Sequence, residues 1–483
     1  MKLIRINPIT RLEGEGVISI ILDDQGNVKD AYYHIIEFKG FEKFCIGRPV
    51  EELPRIVTRI CGVCPWAHHM ASGKAVDQIY GREPGPAAKK IRELAYCAHV
   101  IDSHVLHFFY LVAPDFLAGP GAPKGERNVI ALFKKNPDLV KDIVKHRSYA
   151  VKVTDTIGGK AIHPVCNVPG GVSKPLNEDD VKEFIGYAKE LIKFSLNWIE
   201  KFEKEIVNKY KDLIFSDLYY AETYYMGIVD DNNRMDFYDG MVRVVDPRGN
   251  EVAKFPNDEY ANYIAEKVVR WSYTKFPYLR KVGWKGLSDG INSGMYRVGP
   301  LARLNVSDKL ATDRAQEVFE RFKELGGHPC HYSMFYHYAR LIEILYAAER
   351  MLELLEDEEI LSKDTINYDG EPTYKGVGIA EAPRGILFHH YETDENLITK
   401  RVNIIIPTTQ NNLPINYEIK KAAQKMIKNG QVNDEILNLI EVAFRAYDPC
   451  LACSAHAISR GPLLRVRILR ENGEVIKELP AEK

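Results

Sequence analysis

"RICGVCPWAHHMASGK", residues 59–74, sets Cys61 and Cys64 three positions apart and follows them with His68. The two intervening residues let both sulfurs aim at one centre, and Gly62 lets the backbone turn tightly between them. "DPCLACSAH", residues 448–456, repeats the pattern with Cys450, Cys453 and His456. One C-x-x-C pair is as readily incidental or redox-active as metal-binding. Two pairs, each trailed by a histidine, point to a four-thiolate metal site, because coordination lowers thiol pKa and each cysteine binds as the thiolate. Spacing alone leaves the metal open, since structural zinc or an iron–sulfur cluster also accepts four sulfurs. Structural zinc, however, staples small local modules, and here 386 positions separate Cys64 from Cys450. A site assembled from both ends of a large chain reads as catalytic, and it requires a fold in which those ends meet.

The rest of the sequence supplies such a fold. At 483 residues the chain can bury a sizeable core, and 45% apolar and 27% charged residues describe an ordinary globular protein. Lys+Arg number 65 against Asp+Glu 67, so no basic surplus points to nucleic acid. The start, "MKLIRINPITRLEGEG", is too charged for a secretory signal, and no apolar run reaches the ~18 residues of a membrane span. These features give the expectation of a cytoplasmic chain. Cys45, Cys97, Cys166 and Cys330 stand singly, and eight cysteines in this length are too sparse for a disulfide scaffold.

"GVISIILDDQGNVKDAYYHII", residues 16–36, alternates about a turn as a β-hairpin does, and "LLRVRILRENGEVIKEL", residues 463–479, does the same. Between them helix dominates. Residues 91–113 are apolar nearly all round and predict a core helix ending at Pro114. Asn177 can cap a helix over 178–205, and 334–356 predicts a helix with one buried and one solvated face. Gly/Pro-rich stretches near 113–125, 157–175 and 283–300 read as connecting loops. The expected architecture is mainly α: a single large helical-bundle domain with peripheral β-hairpins, whose N- and C-terminal motifs meet at a buried metal site.

The two cysteine motifs closely resemble the signatures of the large, catalytic subunit of nickel–iron hydrogenases. The likeness continues through "ITRLEGEG" (9–16), "GFEKFCIGR" (40–48), "SHVLHFF" (103–109), "EAPRG" (381–385) and "IIIPTTQN" (404–411). By this resemblance Cys61, Cys64, Cys450 and Cys453 bind nickel, and Cys64 and Cys453 also bridge to an iron carrying carbon monoxide and cyanide. Soft thiolates suit such metals. Glu13 matches the carboxylate that exchanges protons with the nickel-bound Cys450. Glu42, the backbone carbonyl of Ile404 and His456 match the ligands of a magnesium or iron ion. His68 would hydrogen-bond a bridging thiolate, Arg384 would overhang the centre, Thr408 would donate to cyanide, and Pro383 and Leu387 would wall the carbon monoxide. Without the motifs, Glu13 would read as a surface glutamate and Arg384 as an ordinary ion-paired arginine; His104 and His107 read as packed core histidines. Many relatives carry Asp where this chain has Ser103. Asp448 remains, and Asp102 is adjacent but on another helix face.

The implied reaction is reversible heterolytic cleavage of dihydrogen into protons and electrons, with the Cys450 thiolate or Arg384 as candidate base and Glu13 as relay. Lacking a ferredoxin-like cysteine array, the chain implies a small subunit with iron–sulfur clusters as partner. "EFKGFEKFCIGRPVEELPRIVTRICGVC", residues 37–64, most resembles cytoplasmic methanogen-type, non-deazaflavin-reducing (methyl-viologen-reducing) enzymes. These pass electrons through an iron–sulfur subunit to heterodisulfide reductase in methanogenesis. Deazaflavin- or NAD(P)-coupled hydrogenases of the same family are the alternative, and a zinc-stapled, non-catalytic scaffold is the rival of another class. The quinone-site subunit of respiratory complex I shares the fold but lacks the four cysteines. The family's large subunit is also made as a precursor cut by a maturation protease. Here that cut would follow His456, dividing a 1–456 domain from a 457–483 extension.

Overall fold

The computed structural model describes residues 2–456, 466–469 and 475–479. Helix outweighs strand, 48% to 19%, so the mainly α reading holds. Strands Lys2–Ile6, Gly16–Leu22 and Val28–Ile35 form an antiparallel sheet containing the expected hairpin. In the tail, Val466–Leu469 and Val475–Leu479 pair antiparallel, and the remainder of that expected hairpin lies outside the described residues.

Helix Glu178–Lys201 begins where Asn177 accepts a hydrogen bond from the Asp180 amide (2.8 Å), the expected N-cap. Two helical expectations need correction. The helical run does not stop at Pro114: helix Pro86–Leu106 passes through a π-helical turn, His107–Val112, into helix Ala113–Leu117, which carries Pro114 as its second residue. This run is long and apolar enough to cross a membrane, but 72% of its most apolar window is buried in the protein. Helix Phe335–Glu356 is buried on nearly every side through Ala348, because Arg340 and Glu343 point into the interior.

Strands Lys375–Ala382, Gly385–Thr393 and Thr399–Ile405 form an antiparallel sheet that the sequence pattern does not reveal. Helix Pro65–Tyr80 lies directly on it. A Cβ at Gly378 would stand 1.9 Å from the Ala71 carbonyl oxygen, and one at Gly376 would stand 2.1 Å from that of Ala75. Glycine permits this closeness, which fixes the helix capped by Cys64 against the strand leading into "EAPRG". Ala382 pairs with Gly385, so Pro383 and Arg384 are the tip of a buried hairpin.

The two ends of the chain meet. The Leu451 amide donates to the Glu13 carbonyl (2.8 Å), and the Lys39 amide donates to that of Ala455 (2.7 Å).

Candidate metal centre

Cys61 closes a 3-10 turn in extended conformation, and its Sγ accepts from the amides of Val63 (3.2 Å) and Cys64 (3.3 Å). Cys64 caps helix Pro65–Tyr80. Cys450 caps the short helix Leu451–Ser454, which follows Asp448 in left-handed conformation (φ 53). These local structures aim all four sulfurs inward. Cys61 Sγ lies 3.3 Å from Cys450 Sγ, Cys64 Sγ lies 3.2 Å from Cys453 Sγ, and all four ligand atoms fall within 4.8 Å of one another, fully buried. The other four cysteines are buried singly.

Hydrogen bonds from Cys450, Cys453 and Cys64 push the Cys61 thiol well down, whereas burial pushes Cys450 and Cys453 up. Four sulfurs this close cannot all ionise without a cation among them. The donor set therefore fits soft metals.

Beside the sulfurs is a small cavity of about 10 Å³ lined by Cys64, Cys453, Arg384, Leu387, Thr408 and His68. That is room on the scale of one water or one diatomic. Ala382 and Pro407 also line it, while Pro383 turns its carbonyl to Arg303 (3.3 Å). The Thr408 hydroxyl accepts from the Cys450 amide (3.0 Å). A larger groove, about 610 Å³, surrounds the far end of helix Pro65–Tyr80 and touches none of the four sulfurs.

Glu13 Oε2 accepts from Cys450 Sγ (2.9 Å) and from the Ala452 amide (3.2 Å). Burial and then the Cys61 charge raise its pKa, against the opposing pull of these hydrogen bonds. Arg384 donates from Nε to the Asp448 carbonyl (2.6 Å) and from Nη2 to its carboxylate (3.0 Å). Burial alone would lower the Arg384 pKa, but Asp448 and the neighbouring cysteines outweigh it and hold the proton more firmly. The side chain is a fixed cation, which weighs against its use as a base.

Glu42, Ile404 and His456 also converge. His456 Nε2 lies 2.7 Å from the Ile404 carbonyl oxygen and 3.6 Å from Glu42 Oε1, and the Ile404 amide donates to the same Glu42 oxygen (2.9 Å). Burial would raise the Glu42 pKa, yet His456 brings it below the usual value. One carboxylate, one carbonyl and one imidazole suit a hard cation whose shell is completed by water.

Ser103 is buried on helix Pro86–Leu106, and Asp102 turns away to pair with Arg147 (2.6 Å), so Asp448 is the carboxylate that meets Arg384. His104 and His107 are packed core residues, bonded to Glu343 (2.7 Å) and to the Arg445 carbonyl (3.0 Å). Sequence reasoning missed Arg303, whose five N–H groups meet Glu343, Glu381 and the carbonyls of Ala382 and Pro383 just before Arg384. It also missed His389 and Tyr391 behind His68, on a strand whose two buried faces leave no alternation in the sequence.

Residues 39–134 and 290–456 match the family described as Nickel-dependent hydrogenase, and residues 3–38 match one described as HoxL-like. The chain is 49% identical to the iron-sulfur subunit of the F420-non-reducing hydrogenase of Archaeoglobus profundus over 99% of both chains. It is 37% identical to the NAD-reducing hydrogenase HoxS subunit beta of Cupriavidus necator over 98% of both. Among solved structures, an NAD+-reducing [NiFe]-hydrogenase in the H2-reduced state superposes with a TM-score of 0.90 at 37% identity, covering 94% of this chain and 100% of that one.

Proposed function

This chain belongs to the nickel-dependent hydrogenase large-subunit family, and from that premise we propose that it cleaves dihydrogen reversibly and heterolytically at a nickel–iron centre held by Cys61, Cys64, Cys450 and Cys453. The observation that carries the reading is the convergence of these four buried thiols beside a cavity of diatomic size. Cys64 and Cys453, which line that cavity, would also hold the iron and its carbon monoxide and cyanide ligands. When bound, the centre supplies the redox-active metals and the open coordination position that polarises dihydrogen.

The chain's own residues hold and move the proton. Cys450 Sγ takes it and Glu13 Oε2, in hydrogen-bond contact, carries it toward the partly exposed edge of the molecule. Arg384, anchored by Asp448, keeps a positive charge at the cavity wall. Leu387 supplies apolar wall, Thr408 a hydroxyl and His68 a ring beside Cys453. Glu42, Ile404 and His456 hold a magnesium or iron ion that ties the C-terminal motif to the N-terminal segment.

Among the described residues no second cysteine cluster is available to take electrons onward, so they leave through a small subunit carrying iron–sulfur clusters. Exposed Phe38 and Phe44, flanking Glu42, offer apolar surface for that contact. We infer a cytoplasmic complex delivering electrons to heterodisulfide reductase; likeness to F420-non-reducing hydrogenases supports an acceptor other than F420, and likeness to an NAD-reducing hydrogenase keeps a nicotinamide-coupled complex as the alternative. A maturation protease cuts after His456, releasing 457–483; an intact mass of the active protein that includes those residues overturns this.

Purification of the native complex tests the whole reading. The expected result is nickel and iron, infrared bands of bound carbon monoxide and cyanide, and a co-purifying iron–sulfur protein. Zinc alone overturns it.

A further inference from the structure

His68 and Ser72 lie one turn apart on one face of helix Pro65–Tyr80, and His389 and Tyr391 lie two apart on one face of strand Gly385–Thr393. Helix and strand press these faces together, and the four side chains make an unbroken buried chain. Cys453 Sγ lies 3.7 Å from His68 Nε2, His68 Nδ1 lies 3.1 Å from His389 Nε2, His389 Nδ1 lies 2.5 Å from the Tyr391 hydroxyl, and that hydroxyl lies 2.9 Å from Ser72 Oγ. We propose that Tyr391 and His389 form a directional hydrogen-bond chain that holds the His68 Nε2–H on Cys453 Sγ, making His389 and Tyr391 positioning residues for the metal-bridging sulfur. The inference rests on the reading of Cys453 as a metal ligand.

Direction follows from donor counting. Each ring is fully buried against another imidazole, a sulfur or a hydroxyl, with no carboxylate among the described residues to hold a second proton, so each is neutral and carries one N–H. A metal-bound thiolate only accepts. His68 must then donate from Nε2 and accept at Nδ1, His389 must donate from Nε2 and accept at Nδ1, and the Tyr391 hydroxyl, which reaches both Ser72 Oγ and His389 Nδ1, must turn its one proton to His389. Each bond sharpens the next donor, so the far end of the chain strengthens the N–H on the sulfur and fixes the ring that carries it.

The test is infrared spectroscopy of the metal-loaded complex, with nickel and iron quantified in each variant. A thiolate that loses its hydrogen bond donates more charge to iron, which lowers the carbon monoxide and cyanide stretching wavenumbers. His389→Leu is expected to shift both bands down, and Tyr391→Phe to shift them less. His389→Gln, whose amide N–H reaches toward His68 Nδ1, is expected to restore the wild-type bands. Unshifted bands in His389→Leu, or equal shifts in the Leu and Gln variants, overturn the proposal. Should His389→Leu fail to take up metal, Tyr391→Phe decides alone, because it keeps the ring and its packing; unshifted bands there overturn the chain. Absence of these bands from the wild type itself overturns instead the nickel–iron reading beneath it.

Discussion

Cys450 Sγ lies 2.9 Å from Glu13 Oε2 although 437 positions separate them in the sequence. The Leu451 amide bonds the Glu13 carbonyl and the Ala452 amide bonds the Glu13 carboxylate, so the strand-like segment and the cysteine turn are locked in register. Glutamine keeps the acceptor oxygen and the shape but cannot carry the transferred proton. Glu13→Gln is therefore expected to retain nickel and iron while hydrogen–deuterium exchange with solvent falls by about 10²–10⁴-fold, the scale of a lost acid–base group. An undiminished exchange rate would remove Glu13 from the proton route.

Arg384 meets Asp448 through both Nε and Nη2. Lysine has one nitrogen and no fork, so Arg384→Lys frees either the Asp448 carbonyl or its carboxylate in a fully buried site. Stripping a buried carboxylate of its partner costs about 3–5 kcal/mol. We expect Arg384→Lys to lower stability in urea by an amount approaching that range, and Arg384→Lys combined with Asp448→Asn to recover much of it. If the single variant were as stable as wild type, the pair would not be the anchor of the hairpin tip.

The cysteines were legible in the sequence because each pair is contiguous and carries its own geometry. Helix 178–201 was legible because one face is apolar, the other is wet and Asn177 caps it. The sheet at 375–405 was not: strands Lys375–Ala382 and Gly385–Thr393 are buried on both faces for most of their length, which erases the alternation that marks a strand. The same cause hid His389 and Tyr391. Arg340 and Glu343 misled in the opposite direction, since charge on a helix ordinarily marks its solvated face, and here Glu343 is neutralised by Arg303 inside the protein.

Gly378 is the tightest point between helix Pro65–Tyr80 and the sheet, with Ala71 O 1.9 Å and Ala75 N 2.5 Å from the position of an added Cβ. Both obstacles are backbone and cannot swing aside. Gly378→Ala must push the helix off the strand, moving Cys64 relative to Cys453, at a cost of about 3 kcal/mol or more. Reduced nickel content together with a lowered unfolding midpoint is expected; wild-type metal content would show that the helix has slack.

Glu381 shares Arg303 with Glu343, and His104 is bonded to Glu343. Two carboxylates face one guanidinium, while burial holds the His104 ring neutral with a pKa of about 4. One negative charge is in excess, and burial raises the Glu381 pKa from 4.5 to about 7, against the pull of Arg303. The folded protein thus binds a proton between pH 4.5 and 7 that the unfolded chain has already lost. Stability contributed by this group is fully present below pH 4.5, declines as pH rises through 7 and is then constant. The span amounts to ~3 kcal/mol. Glutamine mimics the protonated acid without titrating, so Glu381→Gln is expected to flatten this part of the profile. Urea unfolding of both proteins at about pH 5.5 and about pH 8 measures it: the variant should gain on wild type at the higher pH by ~2 kcal/mol relative to their difference at the lower. Parallel profiles would mean that Glu381 is ionised throughout and that the Arg303 cluster carries its extra charge unprotonated.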